Sequence, residues 1–307
     1  MATPIRPGGV RRKNRPTGRS PWRRKAPWPV QLLKTAVILF IVCVMLYPLL
    51  YVITSSFLPA DGTLQGSLVP SSWTLDAYRA ILQGGLVTRA LEVSAGITIF
   101  GTVLSVIFTT TLAYGLTRTR DVPGSKTILY LVLVTMLFGA GIIPNYLLVK
   151  YLGLLNSYWA LILPGLISAF NMVVIRNFFM QIPADILEAA RIDGAGELGI
   201  FLRIVLPLSK AVVAVISLFY AVGYWNSFFG AMLYINDSSK WPIQLVLNQY
   251  VLQGTPLAQL QNPGSTPPPQ QALQMAVVVL ATVPILVIYP FAQKYFTKGV
   301  ITGAIKG

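Results

Sequence analysis

The chain has 307 residues, of which 54% are apolar and only 11% charged, with a mean hydropathy of +0.65. A soluble domain carries about 25% charged residues, so most of this chain is solvated by lipid. The sequence contains no histidine, the commonest general base and metal ligand, and its single cysteine, Cys43, excludes a disulfide framework. This composition argues against hydrolytic and metal chemistry.

The net charge of +15 is concentrated at one end, since ten of the 24 Lys and Arg precede Thr35. Residues 1–34 are also rich in Pro and Gly, and they read as a basic, disordered cytoplasmic tail. Beside a first membrane span, such a tail anchors the N-terminus in the cytoplasm and adheres to anionic lipid rather than to nucleic acid.

Six apolar segments reach the roughly 20 residues needed to cross a bilayer: 35–57, 93–116, 127–149, 157–178, 204–233 and 272–295. The fold class is an all-α polytopic membrane protein with six transmembrane helices in a permease domain over 35–298. A short cytoplasmic tail follows at 299–307. Alternating strands, the mark of a membrane barrel, are missing from the pattern. Gly139, Gly141 and Pro144 in the third segment, and Pro284 and Pro290 in the sixth, predict kinks that neighbouring helices or water must compensate.

With the N-terminus inside, 20 of the 24 Lys and Arg fall on cytoplasmic segments, which places both termini in the cytoplasm. Two loops on the other side are long. The first, 58–91, contains a short helix for which Ser72 or Thr74 is a candidate cap. The second, 234–271, carries Trp241 and Tyr250 in a stretch suited to an interface or a partner.

Between spans four and five, PADILEAARIDGAGELGIFLRIVLP (183–207) holds Asp185, Glu188, Asp193 and Glu197, four of the nine acidic residues. A polar segment of this length must lie in water or against protein. Pro183 suits a helix start, and Asp185 and Glu188 complement the dipole there. Glu188 and Arg191 lie three apart on a polar side. Gly194 is placed to end the helix, and a second short helix from Glu197 leads into span five.

Sugars are held by aromatic faces and by amide or hydroxyl groups. Span five offers Tyr220, Tyr224, Trp225 and Asn226, with the two tyrosines four apart on one helical face. Span four offers Asn171, and span three Asn145 and Tyr146. The same residues also suit hydrogen bonding between helices.

The run Glu188-Ala189-Ala190, then Gly194, Ile204 and Leu206-Pro207, resembles the EAA motif of membrane subunits of ATP-binding-cassette (ABC) importers. The segments IPNYLLVKYLGLLNSYWALILP, VVIRNFFMQIPADILEAARIDGAG, FYAVGYWNSFFGAMLY and FTKGVITGAIKG are similar to carbohydrate-uptake permeases of the maltose-permease type, oligosaccharide branch.

The resemblance implies a bacterial cytoplasmic-membrane subunit, not an enzyme, that forms half of a sugar pathway. Its partners would be a homologous second permease, two ATPase subunits and an extracytoplasmic solute-binding protein. Glu188, Ala189, Ala190, Asp193 and Gly194 would form the helix that docks onto the ATPase. Trp241 and Tyr250 would lie on the loop that reaches the binding protein. The sequence has no GxxxxGK[ST] loop, so ATP and Mg would be bound by the partner subunits. An ion-coupled secondary transporter would need an acid buried mid-span, and the nearest, Glu92, lies at a span edge. A membrane scaffold whose basic tail recruits lipid or nucleic acid is the other alternative.

Overall fold

The computed structural model describes residues 27–59, 72–83, 85–118, 122–249 and 270–304, and all regular structure among them is helical. The chain divides into two units, residues 1–50 and 51–307. The described part of the first is most of helix α1 (Trp28–Ser55), whose last turn enters the second unit. This helix begins seven residues before the expected 35, because Pro29 falls in its first turn, where a missing N–H is tolerated. The rest of the basic tail, and Tyr250, lie outside the described residues.

The second unit is built around α3 (Leu86–Gly115), a 30-residue helix. It packs most extensively against α11 (Lys210–Trp225) and also against α7 (Ala169–Phe179) and α13 (Ile243–Leu247). The sequence reason is a stripe of small residues on α3: Ser94, Thr98, Gly101, Ser105 and Thr109, all buried. Where lipid removes the hydrophobic drive between helices, small residues let backbones approach and hydroxyls bond across the gap. Phe100 and Val103, on the opposite side of α3, are exposed, as lipid-facing side chains are.

A smaller cluster joins α2 (Asp76–Gln83) and the start of α3 to α14 (Gln270–Ala304). The short helix expected in the 58–91 loop is α2, but neither Ser72 nor Thr74 caps it. The Thr74 hydroxyl donates instead to the Leu58 carbonyl, at 3.3 Å.

Among the described residues, three helices are long and apolar enough to cross a membrane on their own: α1, α3 and the Gln270–Ile288 part of α14. Two bent helix pairs also have the length and composition of a crossing. In one, α6 (Trp159–Ile162) with its 3₁₀ extension to Gly165 meets α7 at 49°. In the other, Glu197–Leu208 meets α11 at 83°.

The third expected span is interrupted rather than kinked. It forms α4 (Ser125–Leu137) and α5 (Ile142–Tyr151), separated at 138–141, where Gly141 adopts φ +85°. That backbone conformation is open to glycine and costly for other residues.

On the face bearing α12 (Phe229–Tyr234), Asn156 ties two loops together. Its N–H donates to Tyr234 O at 2.7 Å, its Oδ1 accepts from Asp237 N at 3.1 Å, and its carbonyl accepts from Lys240 Nζ at 3.0 Å. Hydrogen bonds from the Ser239 hydroxyl and N–H hold the Asp237 carboxyl below the usual carboxylate range.

Candidate functional site

Two regions of the second unit bring expected site residues together, one midway along α3 and one at its C-terminal end. The first is a cavity of about 350 Å³ between α6, α7 and α11, lined by Ser168, Asn171, Phe219, Tyr220, Tyr224 and Ser227, among others. Residues spaced four apart share a helical face, and Tyr220 and Tyr224 do so here, both buried against α3.

The tyrosine hydroxyls are fixed. Tyr220 OH shares a 2.7 Å hydrogen bond with Thr109 Oγ1 and accepts from Ser168 N–H at 2.9 Å. Tyr224 OH lies 2.8 Å from Ser105 Oγ and donates to Ile162 O at 3.2 Å. Gly101 lies under the Tyr224 ring, where an added Cβ would come within 2.8 Å of Cε2.

Asn171 sits in the first turn of α7, which Ser168 caps by accepting from Asn171 N–H at 3.4 Å. The residue is only 6% exposed, yet no side chain or backbone group among the described residues bonds its carboxamide. An amide on a cavity wall is free to bond water or a solute there. Tyr220→Phe leaves Ser168 N–H without its acceptor. It is expected to cost about 1–3 kcal/mol, read as a lowered unfolding midpoint of the purified complex.

The other expected pathway residues lie elsewhere. Trp225 is one step of about 100° around the helix from Tyr224, so it turns to α14 and donates from Nε1 to Ala281 O at 2.9 Å. Asn226 follows the end of α11, and its Oδ1 accepts from Gln244 Nε2 at 3.4 Å. Tyr146 stacks on Tyr234 with ring centroids 6.2 Å apart, and Asn145 beside it is exposed. Trp241 is half-buried, its Nε1 donating to Ile235 O at 3.3 Å. Ser168 and Ser227 went unnoticed in the sequence because isolated serines in an apolar run look like packing residues.

The second region is α8 (Ala184–Ile192), with Pro183 just before it and Asp185 in its first turn. Its end has a specific cause. Gly194, at φ +80°, donates to Arg191 O at 3.0 Å, and Ala195 N–H reaches Ala190 O at 2.9 Å. This is the Schellman arrangement, which closes a helix through a left-handed residue.

Glu188, Ala189, Asp193 and Gly194 are exposed and Ala190 is half-buried. Ile192 and Leu198 are also exposed, at 86% and 70%. Acidic groups beside bare apolar ones form a surface suited to a protein partner.

Arg191, three residues after Glu188, does not pair with it among the described residues. It reaches Glu197 Oε1, 3.1 Å away at the start of α9 (Glu197–Ile200). Beyond α9, residues 201–205 form a π-helical turn in which Leu206 N–H bonds Phe201 O, followed by the short α10 (Leu206–Leu208). Pro207 lacks the N–H that would complete the α-helical pattern to Arg203, and the widened turn precedes it.

Residues 35–302 match the family described as the inner membrane component of binding-protein-dependent transport systems. The chain belongs to this family. It is thus a transport subunit of the ABC-importer class rather than an enzyme, and neither the ion-coupled carrier nor the scaffold is favoured.

The chain is 49% identical over 266 residues to Protein LplC of Bacillus subtilis (strain 168), covering 85% of this chain and 89% of that one. It is 47% identical over 271 residues to the polygalacturonan/rhamnogalacturonan transport system permease protein YtcP of the same organism, covering 87% and 94%. Among solved structures, a bacterial ABC transporter chain involved in import of the acidic polysaccharide alginate superposes with a TM-score of 0.80. The two are 28% identical, over 90% of this chain and all of that one.

Proposed function

We propose that this permease conducts a sugar or oligosaccharide past the cavity of Asn171, Tyr220 and Tyr224 and is driven by a cytoplasmic ATPase that docks on residues 184–194. The observation that carries the pathway is Asn171, which lines the cavity beside aromatic rings and whose carboxamide no group among the described residues bonds. Relatives named for polygalacturonan, rhamnogalacturonan and arabinooligosaccharide transport support a sugar as the solute.

The interrupted α4–α5 segment serves as the sixth crossing. The distribution of Lys and Arg supports cytoplasmic termini and a cytoplasmic 183–207 stretch. A second permease would complete the pathway, two ATPase subunits would bind ATP and Mg, and an extracytoplasmic binding protein would deliver the solute near Trp241. ATP binding would then shift the importer between inward- and outward-facing populations.

Asn171→Leu in the whole importer is expected to reduce uptake of a labelled oligogalacturonide by about tenfold, the loss of one hydrogen bond worth about 1.4 kcal/mol, with assembly intact. Unchanged uptake would remove Asn171 from the pathway.

A further inference from the structure

We infer that Glu197 is a positioning residue whose carboxylate holds α8 at a fixed angle to the C-terminal end of α3. This rests on the assignment of 184–194 as the docking segment. One side chain gathers contacts from three parts of the chain. Glu197 Oε2 accepts from Arg118 Nη2 at 3.1 Å and from the Tyr114 hydroxyl, and Oε1 accepts from Arg191 at 3.1 Å. Arg118 follows α3, Tyr114 lies in its last turn, and Arg191 is on α8.

Exposed ion pairs rarely order a structure, but this cluster has features that do. The Arg118 side chain is only 14% exposed. Its guanidinium lies 5.2 Å from the centroid of the Tyr114 ring and also donates to the Tyr114 hydroxyl at 2.9 Å. That ring packs on Phe201 at 5.0 Å and on Phe179 at 6.5 Å, which binds the polar cluster to an aromatic layer. Arg176 of α7 adds a bond from Nε to Leu116 O at 3.0 Å, fixing the same end of α3 from another side. Networks of charge-assisted bonds on one acceptor stiffen a joint more than isolated pairs do.

By contrast, α8 has no fully buried side chain, and only Leu187 and Ala190 pack against the core. Without Glu197, little sets its angle. A motion imposed on α8 therefore reaches α3 through this carboxylate.

The test uses the full-length chain in lipid nanodiscs, with Cys43→Ser and spin labels at Thr111→Cys on α3 and Asp185→Cys on α8. Both label sites are exposed. The parent is expected to give one narrow distance distribution and E197Q a broad one. R118Q should broaden it less, and should add nothing to E197Q in the double variant. E92Q, which breaks a pair with Arg89 at the opposite end of α3, should leave the distribution narrow.

A narrow distribution in E197Q, or further broadening in the double variant, would overturn the proposal. In the whole importer, E197Q should lower uptake by about tenfold. If the distances broaden while uptake holds, the docking assignment falls and the positioning role stands.

Discussion

Gly101→Val is expected to destabilise the importer and abolish uptake together. A Cβ at this position would lie 2.8 Å from Cε2 and 2.9 Å from two further ring atoms of Tyr224. The ring cannot swing aside freely, because its hydroxyl is engaged by Ser105 and Ile162. Overpacking of this kind costs about 1–3 kcal/mol, and valine should lie at the upper end. The measurement is thermal unfolding of the purified complex beside uptake in cells. Combining it with Tyr224→Ala should lower the midpoint by less than the sum of the two single variants while uptake stays lost, which separates the clash from loss of the cavity wall. An unaltered midpoint in Gly101→Val would show that α3 and α11 do not pack through this glycine.

Gly194→Val should eliminate uptake while the chain remains assembled in the membrane. Here space is not the issue, since an added Cβ would meet nothing within 4 Å. The penalty is conformational: a left-handed residue costs about 1–2 kcal/mol when it carries a side chain, and more when that side chain is β-branched. The expected order of harm is therefore Asn, then Ala, then Val. At Gly101 the order should follow side-chain volume instead. ATP hydrolysis assayed beside uptake in proteoliposomes checks this, with coupling expected to fall in that order. Equal effects of Asn and Val would refute the role of the left-handed turn.

Apolar run length located the long helices but not where the chain bends; in the third segment the glycines at 139 and 141 marked the place, though not that the helix stops there. Hydropathy stays high through Phe138 and Ile142, whereas the break between them is set by backbone conformation at Gly141. Similarly, the Leu163–Gly165 turn lies inside a continuous apolar stretch.

Site residues were readable where one helix determines their relation, as for Tyr220 and Tyr224. The same logic, applied by proximity rather than by angle, grouped Trp225 and Asn226 with them; the helical rotation turns Trp225 away, and Asn226 falls beyond the helix end. Glu197 was visible as one acid among four, but Tyr114 and Arg118 lie 83 and 79 residues before it in sequence. Contacts that distant arise from the fold and leave no local pattern.

The hydroxyl-bonded contact between α3 and α11 has a mechanical consequence. Tyr114, at the Glu197 joint, and Gly101, under the Tyr224 ring, belong to one uninterrupted helix. At about 1.5 Å per residue they are separated by a lever arm of roughly 20 Å. Pivoting that arm by about 5° at the joint would carry its far end by roughly 1.7 Å, about the length of a covalent bond. Tyr224 would travel with it, because its hydroxyl is latched to Ser105. A small rotation delivered at the Glu197 joint therefore suffices to reshape the cavity wall, provided the arm itself does not flex.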